Sequence, residues 1–390
     1  MSRFSKPSKK PSRPYFSSGP CAKRPGWSPD VLRSALAGRS HRSVDGRARL
    51  KRAVDMTRSV LQVPEGYEIA ILPGSDTGAF EIAMWNLLGP RGVDVFAWEV
   101  FGRIWMRDAV EELRLKDLRT FDPAAWGVLP DLSKADFSRD VLFTWNGTTT
   151  GVRVPNADWI ADDRAGLTFC DATSALFAQP IDLSKIDVLT YSWQKALGSE
   201  AAHGMLILSP RAIERLATHR PAWPVPKLFR LTNAGGVMHD VFEGVTINTP
   251  SMLCVEDYLD SLSWVESIGG LQQTIARADT NAKVIYDWIE RTAWVERLAA
   301  DPATLSNTSV CMRFADPAVT ARGDEAAFAV TQAMSALLEA EGAAFDIASY
   351  RGVTPGLRIW TGTTVERQDL ADLTPWLDWA YGEVMDRTSA

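Results

Sequence analysis

Apolar residues alternate between two textures along the first half of the chain. Short, nearly continuous hydrophobic runs recur at 67–72, 94–98, 141–145, 167–170, 186–191 and 203–208. Runs of that length, apolar at successive positions, predict strands buried on both faces. Helical spacing fills the gaps. In the clearest case Leu50, Ala53, Val54, Thr57, Val60 and Leu61 fall at i, i+3, i+4 and i+7. Further helices are predicted over 79–88, toward 115 and over 210–217. Strands alternating with helices imply an α/β architecture, a mostly parallel sheet covered on both faces. Residues 220–250 are loop-rich, with Pro221, Pro224, Pro226, Gly235 and Gly236. Beyond them the pattern changes to long helices near 271–290, 325–341 and 368–385, with short strands near 309–314, 345–349 and 357–360. That predicts a smaller α+β domain. At 390 residues the chain is longer than one core usually supports. The expected organisation is a flexible basic tail over 1–14, a large domain over 15–262 and a small domain over 263–390.

Composition narrows the classes. Apolar content of 46% and charged content of 23% suit an ordinary globular protein. No apolar run has membrane-helix length, and the basic start has no hydrophobic core of a signal peptide. The four cysteines form no CxxC pair, so a metal cluster is not expected and a reducing cytoplasm fits. Net charge is −6, yet residues 1–58 hold 15 Lys/Arg against three Asp, a balance of +12 that leaves −18 elsewhere. No aromatic interleaving accompanies this charge, so an anionic small substrate or a solvated face is favoured over nucleic acid.

Candidate chemistry collects where the predicted strands end, the edge at which parallel sheets bind ligands. Strand 67–72 runs into Gly74, Ser75, Asp76, Thr77 and Gly78 and then a helix, a layout whose free amides and dipole suit phosphate. It is neither a Walker loop nor GxGxxG, and Ser75 or Asp76 also suits a plain N-cap. Phe101 and Trp105 follow the next strand and suit a flat ring, with core packing as the plain alternative. Thr148 lies in a hydroxyl-rich turn after 141–145. Asp171 ends strand 167–170, and Lys195 follows strand 186–191. A free lysine is mostly protonated at neutral pH and becomes a useful amine when desolvated or joined to an aldehyde. Taken together the set predicts pyridoxal 5'-phosphate: Lys195 on the aldehyde, Asp171 at the ring nitrogen, 74–78 on the phosphate, Phe101 on the ring face and Thr148 near the phenolic oxygen. His41 and Arg42 precede the first clear helix. Alone they suit a solvated loop, although a guanidinium also suits phosphate.

These residues carry a resemblance over nearly the whole chain. Ser17-Ser18-Gly19-Pro20, Ser40-His41-Arg42-Ser43, Asn146-Gly147-Thr148, Asp171-Ala172-Thr173-Ser174, Gln194-Lys195 and Asn248-Thr249-Pro250 resemble the class V aminotransferases of fold type I, in the phosphoserine aminotransferase family. The resemblance implies a mostly parallel seven-stranded sheet between helices and a homodimer with shared sites. It implies Lys195 and Asp171 as catalytic residues. Gly74, Ser75, Asp76, Thr77, Phe101, Thr148, Thr173 and Gln194 would bind the cofactor, with Asn248 and Thr249 reaching it from the other subunit. Arg358 would take the substrate α-carboxylate, and His41, Arg42 and Arg351 its phosphate, with Ser18 and Gly19 beside them. The implied reaction is amino transfer between glutamate and 3-phosphohydroxypyruvate, giving phosphoserine and 2-oxoglutarate, for serine and possibly pyridoxine biosynthesis. Three positions depart from the family pattern: Phe101 for tryptophan, Tyr350 for histidine and Gly147 for glutamate. A class V enzyme using glyoxylate or pyruvate with serine, alanine or aspartate, and a non-catalytic protein of the same fold, stand as alternatives.

Overall fold

The apolar runs become one sheet in a computed structural model that describes residues 4–389. Strands β1 (Glu68–Pro73), β2 (Val93–Phe96), β3 (Leu118–Phe121) and β4 (Asp140–Thr144) lead to a two-residue hairpin, β5 (Asn146–Gly147) with β6 (Val152–Arg153). Strands β7 (Thr168–Asp171), β8 (Val188–Ser192) and β9 (His203–Leu208) follow. The spatial order of the seven-stranded sheet is β1-β9-β8-β7-β4-β2-β3. Only β9 runs against its neighbours, so the other six strands send their carboxyl ends to one edge. The pattern of apolar runs does not mark β3. It lies at the sheet's border with half-exposed and exposed residues, so it carries little hydrophobic signal.

Helices cover both faces. Helix α1 (Val44–Leu61) buries all six residues that its spacing marks, and Ser43 Oγ caps it by accepting from Gly46 N. Helix α2 (Ser75–Leu87) starts four residues before the expected position. Gly74, at φ +84°, turns the chain from β1 straight into the helix. Helices α3 (Val100–Arg107), α4 (Pro210–Thr218) and α5 (Met252–Ser267) complete the layers. One core lies with Leu50, Trp193 and Tyr258, the other with Phe80, Trp105 and Leu206.

A two-residue ribbon, β10 (Thr232–Asn233) with β11 (Gly236–Val237), precedes the second unit. Helix α6 (Gly270–Glu290) spans the boundary: Ala278 packs in the sheet's core, while Ala282, Ile285 and Trp288 join a separate one. That second core lies between the antiparallel strands β12 (Val295–Arg297), β13 (Ser309–Phe314) and β14 (Gly356–Trp360) and the helices α7 (Pro317–Thr320), α8 (Asp324–Ala340) and α9 (Arg367–Ser389). Residues 345–349 form no strand; they make single bridges, Tyr15 to Phe345 and Ala348 to Leu357.

Of the flexible lead-in expected over 1–14, residues 1–3 lie outside the described residues, and residues 4–14 lie against this second unit. Lys6 pairs with Glu341 at 2.7 Å, Lys9 with Asp372 at 2.8 Å, and Trp376 Nε1 donates to the Lys9 carbonyl. Phe16 is fully buried in the same core. Further along, Lys23 pairs with Asp257, Arg24 with Asp260 and Arg49 with Glu256, all acids of α5. The basic N-terminal segment is thus complemented in good part within the chain. Among the described residues no helix is long and apolar enough to cross a membrane.

The amino ends of β7 and β8 and the carboxyl end of the antiparallel β9 are tied by one buried carboxylate. Asp187 accepts from Thr168 N, Ser209 Oγ, Arg164 Nε and Arg211 Nη1 at 2.8–3.1 Å. Asp187→Ala strands both guanidinium groups and should cost about 3–5 kcal/mol in urea unfolding. A loss below about 1 kcal/mol would show that the ties are dispensable.

Candidate active site

The carboxyl ends of β1, β2, β4, β7 and β8 meet around a cleft of about 90 Å³. Each strand delivers part of its lining. Ser75, Asp76 and Thr77 follow β1, Phe101 follows β2, Thr148 follows β4, Asp171 and Thr173 end β7, and Gln194 and Lys195 follow β8. These are the residues that the sequence pattern singles out, and the sheet brings them together because parallel strands end on one side.

Lys195 reaches across the cleft floor, where Nζ donates to the Ser18 carbonyl at 2.7 Å. Burial lowers its pKa, and the Arg358 charge pushes the same way, while Asp171 and Asp76 oppose both. Gly19 lies over the amine at φ +146°, and a Cβ there would collide with Lys195 Nζ and Cε. Asp171 is buried and held at both oxygens: Oδ1 accepts from Thr173 N at 2.9 Å and Oδ2 from Trp105 Nε1 at 3.0 Å. That bond and a ring contact with Phe80 (4.8 Å) commit Trp105 to the wall. Phe101 stays half-exposed over the cleft, its ring 5.8 Å from that of Tyr350. Tyr350 in turn lies 5.5 Å from the Arg358 guanidinium, so the tyrosine braces both the ring-facing residue and the arginine.

The anion end fits a phosphate. No side chain caps α2; the Ser75 N–H donates to the Ala202 carbonyl at 3.3 Å, which leaves the Asp76 and Thr77 N–H groups open to an acceptor. Gly78 permits the tight turn, since a Cβ there would strike the Pro73 carbonyl. Gln194 Nε2 donates to Ser75 Oγ at 2.8 Å. Thr173 Oγ1, Ser192 Oγ and Gln194 Oε1 are buried without any partner. Orphaned polar atoms around an uncapped helix end are those that a bound phosphorylated ring would satisfy. The donor set, one desolvated amine and one oriented carboxylate therefore fit pyridoxal phosphate.

Glu99 also lines the cleft, and the sequence pattern assigned it no role. Its Oε1 accepts from Gly102 N at 2.5 Å, capping α3, and Oε2 accepts from Thr149 Oγ1 at 3.2 Å. Thr149 Oγ1 accepts in turn from Val100 N. The two residues tie the start of α3, which carries Phe101, to the loop that carries Thr148. Burial pushes the Glu99 pKa up to about 8. The signal in the sequence was a glutamate three residues before Gly102, at a strand-to-helix junction. Gly147 also has its reason: a side chain there would meet Thr150 Oγ1, the Val152 carbonyl and Trp98 Nε1.

Arg358, on β14 opposite Cys311, acts electrostatically on Lys195 and keeps a buried Nε without a partner. Other predicted residues are not brought in. Arg351 is exposed on the turn after Tyr350. His41 is buried before α1, with its pKa lowered by burial and by Arg42, while Arg42 itself is exposed. Asn248 and Thr249 are exposed in the loop before α5. None of these five lines the cleft of its own chain.

No family model matches the chain. It is 51% identical over 376 residues to a protein of Methanosarcina mazei named phosphoserine aminotransferase, covering 96% of this chain and 99% of that one. The crystal structure of a phosphoserine aminotransferase from Cytophaga hutchinsonii superposes with a TM-score of 0.79 at 20% identity, covering 94% of this chain and 98% of that one. A PLP-bound phosphoserine aminotransferase from Trichomonas vaginalis superposes with a TM-score of 0.76 at 18% identity, over 94% and 99% of the two chains.

Glu99→Ala removes the cap of α3 and should lower stability by about 1–2 kcal/mol in urea unfolding. It should also weaken cofactor binding through Phe101; an unchanged affinity would separate Glu99 from the ring slot. Gly19→Ala should displace the Lys195 amine, so that the visible absorption of the cofactor-loaded protein drops sharply. An unaltered spectrum would show that the amine needs no such clearance.

Proposed function

We infer the working roles of this cleft from one premise: the chain belongs to the phosphoserine aminotransferase family. It is a PLP-dependent aminotransferase that moves an amino group reversibly between L-glutamate and 3-phosphohydroxypyruvate, yielding 2-oxoglutarate and O-phospho-L-serine. The observation that carries the residue roles is the convergence of Lys195, Asp171 and the uncapped end of α2 on one cleft, each from a different strand.

Pyridoxal phosphate, when bound, supplies an aldehyde that amines can join and a ring that draws electrons from the substrate α-carbon. In our reading Lys195 Nζ holds the aldehyde, and Asp171 holds the ring nitrogen. Phe101 covers the ring face, and Thr148 donates toward the phenolic oxygen. Gly74, Ser75, Asp76 (through its backbone N–H), Thr77, Thr173 and Gln194 would hold the phosphate at the start of α2. Lys195 Nζ would take and return the proton at the substrate α-carbon, and burial, which lowers its pKa, favours the free base.

Both substrates carry an α-carboxylate and a distal anion. Arg358, beside Lys195, takes the carboxylate; a fork of N–H groups suits it. His41, Arg42 and Arg351 take the distal anion, with Ser18 and Gly19 at the cleft edge. We place His41, Arg42, Asn248 and Thr249 in the cleft of a second copy, which makes the working unit a homodimer with shared sites. Supporting this, Val44 and Leu253 stand exposed at 85% and 49%, just beyond the two segments, as residues that a second copy would cover. The buried, unpaired cysteines Cys21, Cys170 and Cys311 are consistent with a cytoplasmic setting.

Purified protein supplied with pyridoxal phosphate should be yellow, and Lys195→Ala should abolish that spectrum; a colourless parent protein removes the central assignment. With glutamate as donor, phosphohydroxypyruvate should turn over faster than glyoxylate, and the reverse order would move the protein to another class V activity. Arg42→Ala should raise the KM for phosphoserine by roughly 10- to 100-fold while barely moving that for alanine. Equal changes would deny it the phosphate.

A further inference from the structure

One carboxyl in the cleft has no part in the scheme above. Asp76 stands in the first turn of α2, next to the phosphate-holding Ser75 and Thr77, where a second anion would repel the cofactor. Its side chain is 6% exposed, and Oδ1 is buried without a donor. It does not cap its helix. The groups around it come from two strands: the Cys170 thiol and Asp171 carboxyl on β7, with the Thr173 hydroxyl just beyond it, and the Thr190 hydroxyl on β8. Lys195 lies within electrostatic reach of both carboxyls, and Glu99 within reach of Asp171. Among the described residues neither Asp76 nor Asp171 forms an ion pair.

Two buried carboxyls in contact, with no cation paired to either, do not both stay ionised. The hydrogen bonds say which one keeps the proton. Each oxygen of Asp171 already accepts an N–H, from Thr173 and from Trp105, whereas Asp76 Oδ1 meets none. We propose that Asp76 is a positioning residue for Asp171: a single proton held on Asp76 bridges the two carboxyls and leaves one negative charge at the ring-nitrogen end of the cleft.

Asp171 offers about four lone-pair positions. Thr173 N–H, Trp105 N–H and Asp76 O–H occupy three, which leaves one for the ring nitrogen. A neutral Asp76 also adds no charge against the phosphate held by the same turn. Burial first, and then the Asp171 charge, raise the Asp76 pKa well above the usual carboxylate range. The unfolded chain releases this proton near the ordinary aspartate pKa, and the folded chain retains it. The native state therefore binds more protons above that value, and stability falls as pH rises toward the folded pKa. The role for Asp171 rests on the reading of the preceding subsection, but the carboxyl pair itself does not.

Thermal melts of the full-length chain without cofactor test the pair. Asp76→Asn keeps shape and donor but cannot titrate. Its melting temperature should gain on the parent's as pH rises from about 5 to 8, by on the order of 1–2 °C. In an Asp171→Asn background that gain should shrink, because Asp76 then ionises more readily. If Asp76→Asn fails to fold, Asp76→Ser, a smaller neutral donor, is read the same way. A gap that is constant with pH, or one that Asp171→Asn leaves unchanged, overturns the shared proton. With cofactor added, Asp76→Asn should bind pyridoxal phosphate within about threefold of the parent, whereas loss of binding would mean that a titrating Asp76 is needed. Because the melts contain no cofactor, their failure is distinct from a failure of the Lys195 spectrum.

Discussion

The register between β7 and β8 is the constraint on which the site depends. Asp171 pairs with Thr190 in that ladder, and Lys195 lies five residues beyond Thr190. A one-residue slip would turn either strand's side chains to the opposite face and part the carboxylate from the amine. The register is anchored at both ends, and at the carboxyl end Ala172 N donates to the Thr190 carbonyl at 2.9 Å. Asp187 ties the amino ends of β7 and β8 to the carboxyl end of the antiparallel β9, and Trp145 N, beyond β4, fixes the Asp171 carbonyl from the other side. Between the anchors the strands are buried throughout, so no polar edge tempts them to shift.

Desolvation is the second theme. The cleft gathers Lys195, Asp171, Asp76 and Glu99 in a small, buried volume, where each charge must be oriented, paired or neutralised. Two N–H donors orient Asp171, a backbone N–H and a threonine hydroxyl hold Glu99, and Lys195 leans on a carbonyl. Burial lowers the pKa of the lysine and raises those of Asp76 and Glu99, so the groups move toward their neutral forms. The same physics that makes the amine a usable base strips charge from carboxyls that would crowd the cofactor.

The second unit does more than cap the sheet. It supplies Arg358 and Tyr350 at the mouth of the cleft, and the N-terminal segment crosses from it to place Ser18 and Gly19 over the lysine. Where the family pattern has a histidine, Tyr350 bridges Phe101 and Arg358, a packing role that a larger ring fills. Where the pattern has a glutamate, the backbone at Gly147 leaves no room for a side chain. The departures are thus answered by local packing while the arrangement of the cleft is kept.

Much of this was legible in the chain itself. Buried parallel strands write long apolar runs, and α1 writes its periodicity, because both are set by what local residues bury. Gly74 to Thr77, Thr148, Asp171 and Lys195 were readable because each follows such a run at the sheet's binding edge. The exposed strand β3, the failure of 345–349 to pair beyond single bridges, and the docking of residues 4–14 were not, since each depends on a distant partner. So too were the indole bond to Asp171 and the contact between Asp76 and Asp171, which join residues 66 and 95 positions apart. The sequence by itself determined the layers, the order of the strands' chemistry and the identity of the reactive groups. Only the tertiary structure decided which of those groups touch, and therefore which hold charge, because protonation follows distance and burial rather than spacing along the chain.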